Sequence, residues 1–192
     1  MNPKLFRTGE FLAQTLQSGQ IQIPVGSKVL DMGTGSGVAA IFAAQWADKV
    51  VAVDLNPAAV RCAKINTLLN HFEDKIEVRN GDLFDPVPNE KFDLILFNPP
   101  YLKGRPRNYF ERALFGEEVI EFFAEQVGRY LRPEGEVFLV LSSQADLSRI
   151  QKSFAEHGFK LATVSRRDYF NESLYLYRLT CQIHAPTKAT HL

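Results

Sequence analysis

The chain has 192 residues and a mass of 21.7 kDa, enough to bury one hydrophobic core without requiring a second domain. Hydrophobic residues make up 45% of the sequence and charged residues 23%, a composition that excludes disordered and fibrous proteins. The 22 basic and 22 acidic residues cancel, and this neutral charge disfavours a nucleic-acid partner, since such proteins usually carry a basic excess.

Cysteine and histidine usage indicates no metal site. Cys62 and Cys181 lie far apart in the sequence without metal-ligand spacing, so we expect free core thiols in a reducing compartment. The 4 histidines also lack such spacing and are expected at the surface. The N-terminus lacks an apolar signal core, and no apolar run reaches the roughly 20 residues that span a bilayer. We therefore expect a soluble, cytoplasmic protein.

Strand-like and helix-like segments alternate through the first half of the chain. Apolar side chains at 11, 12, 13 and 16 have the spacing of a short leading helix. In chain order we predict the helix 8–18, the strand 28–32, the helix 38–49, the strand 50–54, the helix 56–70, and the strands 75–79 and 92–97.

The second half continues the pattern after a polar, proline-containing loop over 103–111. In chain order we predict the helix 117–131, a break at 133–135, the strand 136–141, the helix 144–157, and the strands 159–166 and 174–180. Only residues 167–173 connect the last two strands, which is short enough for a hairpin but not for a parallel crossover. We therefore expect the last strand to be antiparallel.

This alternation predicts an α/β protein with a Rossmann-like sheet of seven mostly parallel strands and helices on both faces. We predict a single domain over 1–183 and a flexible tail over 184–192. Ligands of such sheets bind at the carboxyl ends of the strands. The polar motifs of this sequence each follow a predicted strand.

The segment Asp31-Met32-Gly33-Thr34-Gly35-Ser36-Gly37 places glycines at alternate positions between a strand and a helix. Such a loop turns tightly and lets a ligand approach the main chain. A nicotinamide fingerprint would require glycine at position 38, where this chain has valine. The Asp31 carboxylate would repel a pyrophosphate but can accept hydrogen bonds from an ammonium. We therefore predict a nucleotide-like cofactor with an amino-acid head, bound by Asp31, Gly33, Thr34, Gly35 and Gly37.

Carboxylates also end the second and third strands. Asp54, followed by Leu55, can accept two hydrogen bonds from ribose hydroxyls. Asp82 can accept a hydrogen bond from an exocyclic adenine amine, while the Leu83 or Phe84 N–H bonds the ring. Both aspartates also suit ordinary turns, so we predict cofactor contacts at Asp54, Leu55, Asp82 and Leu83 as part of the set rather than singly.

The buried strand 92–97 ends abruptly at Asn98-Pro99-Pro100-Tyr101. Two fixed φ angles and two missing N–H donors suit a rigid loop rather than a continued strand. The Asn98 side-chain oxygen and the Pro99 carbonyl can accept both hydrogens of one NH2 group, and the Tyr101 ring can stack on a planar acceptor. We predict that all four residues are catalytic and that Asn98 also borders the cofactor.

Together, these motifs resemble class I S-adenosylmethionine-dependent methyltransferases that methylate amino groups, and within them the HemK-like release-factor glutamine methyltransferases. Ala113-Leu114-Phe115-Gly116 and Leu131-Arg132-Pro133-Glu134-Gly135-Glu136 extend the likeness over about residues 5–182. The resemblance implies S-adenosylmethionine as cofactor, S-adenosylhomocysteine as product and N5 of a protein glutamine as the methylated atom, most naturally in a translation release factor.

Only about 27 residues precede the first predicted strand, whereas bacterial release-factor enzymes carry a helical N-terminal substrate-binding domain. The chain looks more like the short members of the family, which work with a small zinc-binding activator subunit. The family's leading motif is only loosely matched by the segment Arg7-Thr8-Gly9-Glu10-Phe11, in which Thr8 or Glu10 would cover the cofactor.

Two other functions are compatible with the sequence. The Asn98–Tyr101 stretch is shared with enzymes that methylate N6 of adenine in RNA or DNA, and Lys103, Arg105 and Arg107 follow it as a basic patch or a solvated loop. The second alternative is a non-catalytic cofactor-binding subunit, against which the complete stretch argues.

Overall fold

The protein is described by a computed structural model that covers residues 3–101 and 116–182. Its strands form one sheet in the order β3-β2-β1-β4-β5-β7-β6. The strands are β1 (Lys28–Met32), β2 (Lys49–Asp54), β3 (Ile76–Asn80), β4 (Phe92–Phe97), β5 (Leu131–Ser142), β6 (Phe159–Tyr169) and β7 (Glu172–Cys181). The predicted loop over 103–111 and tail over 184–192 lie outside the described residues.

The pairing of the strands confirms the predicted topology. β1 pairs in parallel with β2 and with β4, β2 with β3, and β4 with β5. β7 is antiparallel to both of its neighbours, β5 and β6. Because the tight turn between β6 and β7 allows only a hairpin, the sheet ends in an antiparallel edge.

Helices cover both faces of the sheet. They are α1 (Pro3–Gln17), α2 (Val38–Ala43), α3 (Pro57–Leu69), α4 (Glu117–Gln126) and α5 (Leu147–Glu156). One apolar core joins α1 and α2 to the sheet, with Phe11 and Leu16 at its centre. A second core on the other face joins α4 and α5 to the sheet through Phe123 and Phe154. None of the helices in the described ranges is long and apolar enough to cross a membrane.

Several predicted boundaries were wrong, among them the start of α1 at Pro3 instead of 8 and the end of β6 at Tyr169 instead of 166. α2 ends at Ala43 instead of continuing to 49, because the Asp48 N–H must donate to the Ser27 carbonyl, 3.0 Å away, for β2 to lie beside β1. α4 ends at Gln126 and a 3-10 turn follows it. β5 then includes the predicted break at 133–135 as an irregularity, since Leu131 pairs with Phe92 and Glu136 with Leu94.

The predicted place of the cysteines was also wrong, since Cys62 and Cys181 are both exposed free thiols. Cys62 lies on α3, whose buried side is formed by Val60, Ala63 and Thr67. Cys181 is the last residue of β7. The two histidines in the described part of the chain, His71 and His157, are exposed as predicted.

Candidate active site

The predicted site residues meet at the carboxyl ends of β1, β2 and β4. β1 lies between the other two, so the order of the sheet reverses between β1 and β4. Open α/β sheets form their ligand crevice where neighbouring connections diverge in this way. The glycine loop follows β1, Asp54 ends β2, and Asn98 follows β4. The topology therefore brings the three separate motifs to one edge.

The glycine loop has a backbone that other residues adopt poorly. Gly33, Gly35 and Gly37 have φ angles of 64°, 58° and 83°. A Cβ on Gly37 would lie 3.1 Å from the Cβ of Ala63, so glycine also permits close packing of the loop on α3. A Cβ on Gly35 would meet nothing closer than the Gly33 carbonyl oxygen, 4.0 Å away. The space beside Gly35 is thus open to a ligand.

Asp54 holds the glycine loop in place. Its Oδ2 accepts a hydrogen bond from the Gly35 N–H at 2.8 Å, and its Oδ1 accepts one from the Asn56 N–H at 2.8 Å. Burial raises the pKa of Asp54, and these two hydrogen bonds oppose the shift. Each carboxylate oxygen keeps a second lone pair, so ribose hydroxyls can still donate to Asp54.

Asp31 is buried, with both of its described hydrogen bonds on a single oxygen. Its Oδ2 accepts from the Thr34 hydroxyl at 2.5 Å and from the Ala40 N–H at 3.1 Å. Burial raises the pKa of Asp31 to about 7, against the effect of these bonds, and the negative charge of Asp54 adds to the rise. A cation near Asp31 would reverse the shift, which suits the predicted ammonium partner.

The end of β3 supports the loop after β2. The Asn80 side-chain amide donates to the carbonyls of Asp54 and Leu55, at 2.9 and 3.1 Å. Asp82 is exposed beyond this contact, and Leu83 has a left-handed φ of 40°. Asn80 was not among the predicted site residues, because the sequence Asn-Gly-Asp signals only a turn. The adenine contacts of Asp82 and Leu83 stay predictions.

Asn98 is oriented by the leading helix. Its Nδ2 donates to the hydroxyl of Thr8, a buried residue of α1, at 3.0 Å. Its Oδ1 is buried and has no hydrogen-bond partner among the described residues. A buried acceptor without a donor costs about 1–3 kcal/mol, which a donor from a ligand would relieve. Oδ1 is therefore an unsatisfied acceptor, and its predicted role towards an NH2 group stays a prediction.

The rest of the stretch is rigid and largely buried. Pro99 is buried and Pro100 half-buried. A Cβ on Gly116 would lie 2.8 Å from the Cγ of Pro100, so Gly116 permits this close approach. Tyr101 is 7% exposed and belongs to the apolar core under α4 and α5, and burial raises the pKa of its phenol. Stacking of an acceptor on Tyr101 stays a prediction.

The assembled site is rich in hydrogen-bond acceptors. The Asp31 and Asp54 carboxylates and the unpaired Asn98 amide oxygen suit a ligand with several donors, such as an ammonium, ribose hydroxyls and amines. Across 3–101 and 116–182 no group of three or more potential ligand side chains could hold a metal ion. Lys103, Arg105 and Arg107 lie outside the described residues. The acceptors of the site match the hydrogen-bond donors of the predicted cofactor.

Comparison with known families agrees with this chemistry. The family model described as "Methyltransferase small domain" matches residues 4–169. This range includes the leading helix and every predicted site residue from Asp31 to Tyr101.

Of three relatives, two are named for a glutamine acceptor and one for an adenine acceptor. A protein N5-glutamine methyltransferase of Methanocaldococcus jannaschii is 35% identical over 147 residues, covering 72% of this chain and 73% of its own. A release factor glutamine methyltransferase of Aliivibrio fischeri is 31% identical, covering 84% of this chain and 56% of its own. A tRNA1(Val) (adenine(37)-N6)-methyltransferase of Actinobacillus pleuropneumoniae is 33% identical, covering 66% of this chain and 56% of its own. The chain thus spans little more than half the length of these bacterial relatives.

A solved structure with the same fold is the E. cuniculi Mtq2-Trm112 complex, which is described as responsible for methylation of the eRF1 translation termination factor. The TM-score is 0.67 at 21% identity, over 90% of this chain and 93% of the matched chain. The similarity to that structure establishes the shared architecture.

Proposed function

Because this chain belongs to the methyltransferase small domain family, we propose that it methylates the side-chain nitrogen of a glutamine in a protein, with S-adenosylmethionine as the methyl donor. A translation release factor is the proposed substrate. The names of the archaeal and Aliivibrio relatives support the glutamine acceptor.

The observation that carries the proposal is the buried Asn98 Oδ1 without a donor. A glutamine amide offers two N–H groups, and its nitrogen is a weak nucleophile because the lone pair is delocalised. Asn98 Oδ1 and the Pro99 carbonyl would accept both hydrogens, which orients the NH2 group and favours positive charge developing on nitrogen. The donor would supply the methyl group with the sulfonium as leaving group, so the acceptor nitrogen held by Asn98 and Pro99 would gain an N–C bond and release one proton to water.

The cofactor would be held by the residues that end β1, β2 and β3. Asp31 would accept from its ammonium, Asp54 from its ribose hydroxyls, and Asp82 from its adenine amine, with the loop 33–37 along the open space beside Gly35. S-adenosylmethionine supplies an activated methyl group on a sulfonium, so the protein needs to position the reactants rather than form a covalent intermediate.

A second candidate function is methylation of N6 of adenine in RNA. The Actinobacillus relative favours it, and an adenine N6 amine is also a planar NH2 group that Asn98 could orient. The neutral net charge argues against it, because binding to a polyanion rests largely on basic side chains.

An acceptor competition separates the two functions. The purified chain and radiolabelled S-adenosylmethionine are incubated with a release factor, with total RNA, and with both, and mass spectrometry then locates the added methyl group. We expect label in the protein, at a glutamine side chain. Label confined to RNA would refute the proposed substrate and support the second candidate.

We propose a small activator subunit as a partner, and the E. cuniculi structure, which is a complex of Mtq2 with Trm112, supports a second chain. α3 exposes three apolar side chains, Ile65, Leu68 and Leu69, at 57%, 57% and 71% of their surface, beside the edge strand β3. Contiguous exposed apolar surface is typical of interaction sites. If an activator binds there, L68D/L69D should abolish co-purification of the two chains, while K64E, on the same helix, should not. Co-purification that survives L68D/L69D would place the partner elsewhere.

A further inference from the structure

Glu172 is a buried acidic residue that has no part in the reaction proposed for residues 31–101. It is the first residue of β7 and is only 4% exposed. Its Oε1 accepts hydrogen bonds from the Ser142 hydroxyl at 2.6 Å and from the Tyr101 phenol at 3.4 Å. No basic side chain of the described ranges forms an ion pair with it. Burying a carboxylate without a cation is costly, so folding alone favours an apolar side chain at this position.

The three residues lie on, or shortly after, three different strands. Ser142 ends β5, Tyr101 follows β4 by a few residues, and β7 runs antiparallel, so its first residue lies at the same edge of the sheet as the ends of β4 and β5. The cluster therefore adjoins the candidate active site. It ties the last residue of the Asn98–Tyr101 stretch to the β6–β7 hairpin.

We propose that Glu172 and Ser142 are positioning residues that fix the Tyr101 phenol, and through it the ring and the rigid stretch that presents the acceptor nitrogen. This inference rests on the proposed role of residues 98–101. A phenol that donates to a carboxylate also carries more electron density in its ring. The ring then attracts positive charge developing on the acceptor nitrogen more strongly.

Direct observation of the Tyr101 phenol tests its contact with Glu172 and needs no methyl-accepting substrate. The full chain is labelled with 3-fluorotyrosine, and Y101F identifies the Tyr101 signal in the ¹⁹F NMR spectrum. We expect E172Q and S142A each to shift that signal. The matched control is D168N, which removes an exposed carboxylate from the same hairpin. A Tyr101 signal that is unchanged in both E172Q and S142A would overturn the inference.

Steady-state kinetics then tests the consequence for methyl transfer. In E172Q we expect kcat to fall about 10-fold, since small misplacements of reacting groups are costly, while the KM for the methyl donor stays within about 2-fold. Combining E172Q with Y101F should cost no more than Y101F alone. Additive losses, or a loss confined to the KM of the donor, would contradict a role through Tyr101.

The two tests keep this inference separate from the proposed function. Wild-type protein that methylates neither acceptor would refute the proposed function, while the ¹⁹F spectra would still decide whether Glu172 holds Tyr101. If the wild type is active, a shifted Tyr101 signal with normal kcat in E172Q would overturn the positioning role alone.

Discussion

The two halves of the candidate site satisfy their hydrogen bonds differently. At the ends of β1 and β2, Asp31 and Asp54 accept bonds from backbone N–H groups of the glycine loop, of α2 and of the residue before α3. At the end of β4, the Asn98 Nδ2 is bonded, whereas its Oδ1 has no partner among the described residues. The first half is therefore held in place before any ligand binds. The second half leaves the Asn98 Oδ1 acceptor without a donor from the described residues.

This difference separates cofactor binding from transfer. A group that stabilises the loop before any ligand arrives should affect the affinity for the cofactor. A group whose acceptor is satisfied only by the methyl acceptor should affect turnover. Variants of the two halves should therefore change different kinetic quantities.

The largest effect is expected for N98A. Removing the amide oxygen should lower kcat by about 10²–10³-fold, the range for loss of one preorganised polar group in an active site. The dissociation constant of S-adenosylmethionine, measured by calorimetry, should change far less than kcat, because Asn98 only borders the cofactor. N171A, at an exposed asparagine, serves as control. Normal turnover in N98A would show that the unpaired oxygen has no role in transfer.

D54A should give the next largest effect, which is a loss of affinity for the cofactor. It removes the acceptor of the Gly35 and Asn56 N–H groups together with the proposed ribose contacts. Hydrogen bonds to charged groups contribute about 1.5–3 kcal/mol, so we expect cofactor affinity to fall about 10–100-fold. D48A, at an exposed carboxylate just before β2, should bind normally. An unchanged dissociation constant in D54A would remove Asp54 from the site.

The protonation of Asp31 should make cofactor affinity depend on pH. Its pKa of about 7 means that the carboxyl is mostly neutral at lower pH and mostly ionised at higher pH. Only the ionised form attracts an ammonium, so affinity should rise about 5- to 6-fold between roughly pH 6 and 7, below the ordinary pKa of an α-amino group. Calorimetry at both values checks this, and D31N should bind weakly with little pH dependence. Affinity that falls with rising pH would contradict the assignment.

The cofactor-free protein should show the opposite trend in stability. Because the folded-state pKa of Asp31 lies above its ordinary value of 3.8, the native state binds more protons between these values. The contribution of Asp31 to the free energy of unfolding is therefore favourable at low pH and is lost as pH rises towards about 7. Thermal melts of wild type and D31N should diverge over that range.

The smallest effect is expected for T8V, which removes the hydroxyl that accepts from Asn98 Nδ2. The amide would lose one hydrogen bond and part of its fixed orientation. A single bond contributes about 1 kcal/mol, so kcat should fall about 5-fold. T8S keeps the hydroxyl and should restore wild-type turnover. Equal losses in T8V and T8S would assign the effect to packing of α1 rather than to the hydrogen bond.

Much of the architecture was predictable from local patterns. β4 was predicted with its observed bounds, because an uninterrupted apolar run followed by two prolines leaves little choice. The end of α2 and the beginning of β5 were not predicted, because the neighbouring strand decides each of them. Ala-rich residues 44–48 favour a helix locally, but β2 has to return beside β1.

The sequence by itself determined the alternation of strands and helices, the hairpin at the sheet edge and the residues that follow each strand. Glycine, proline and carboxylate signals act within a few residues, so they are visible without the fold. Only the tertiary structure decided that Thr8 orients Asn98, that Asn80 supports Asp54, and that Glu172 meets Tyr101. These contacts join residues 26 to 90 positions apart, and no local pattern encodes which side chains a sheet brings together.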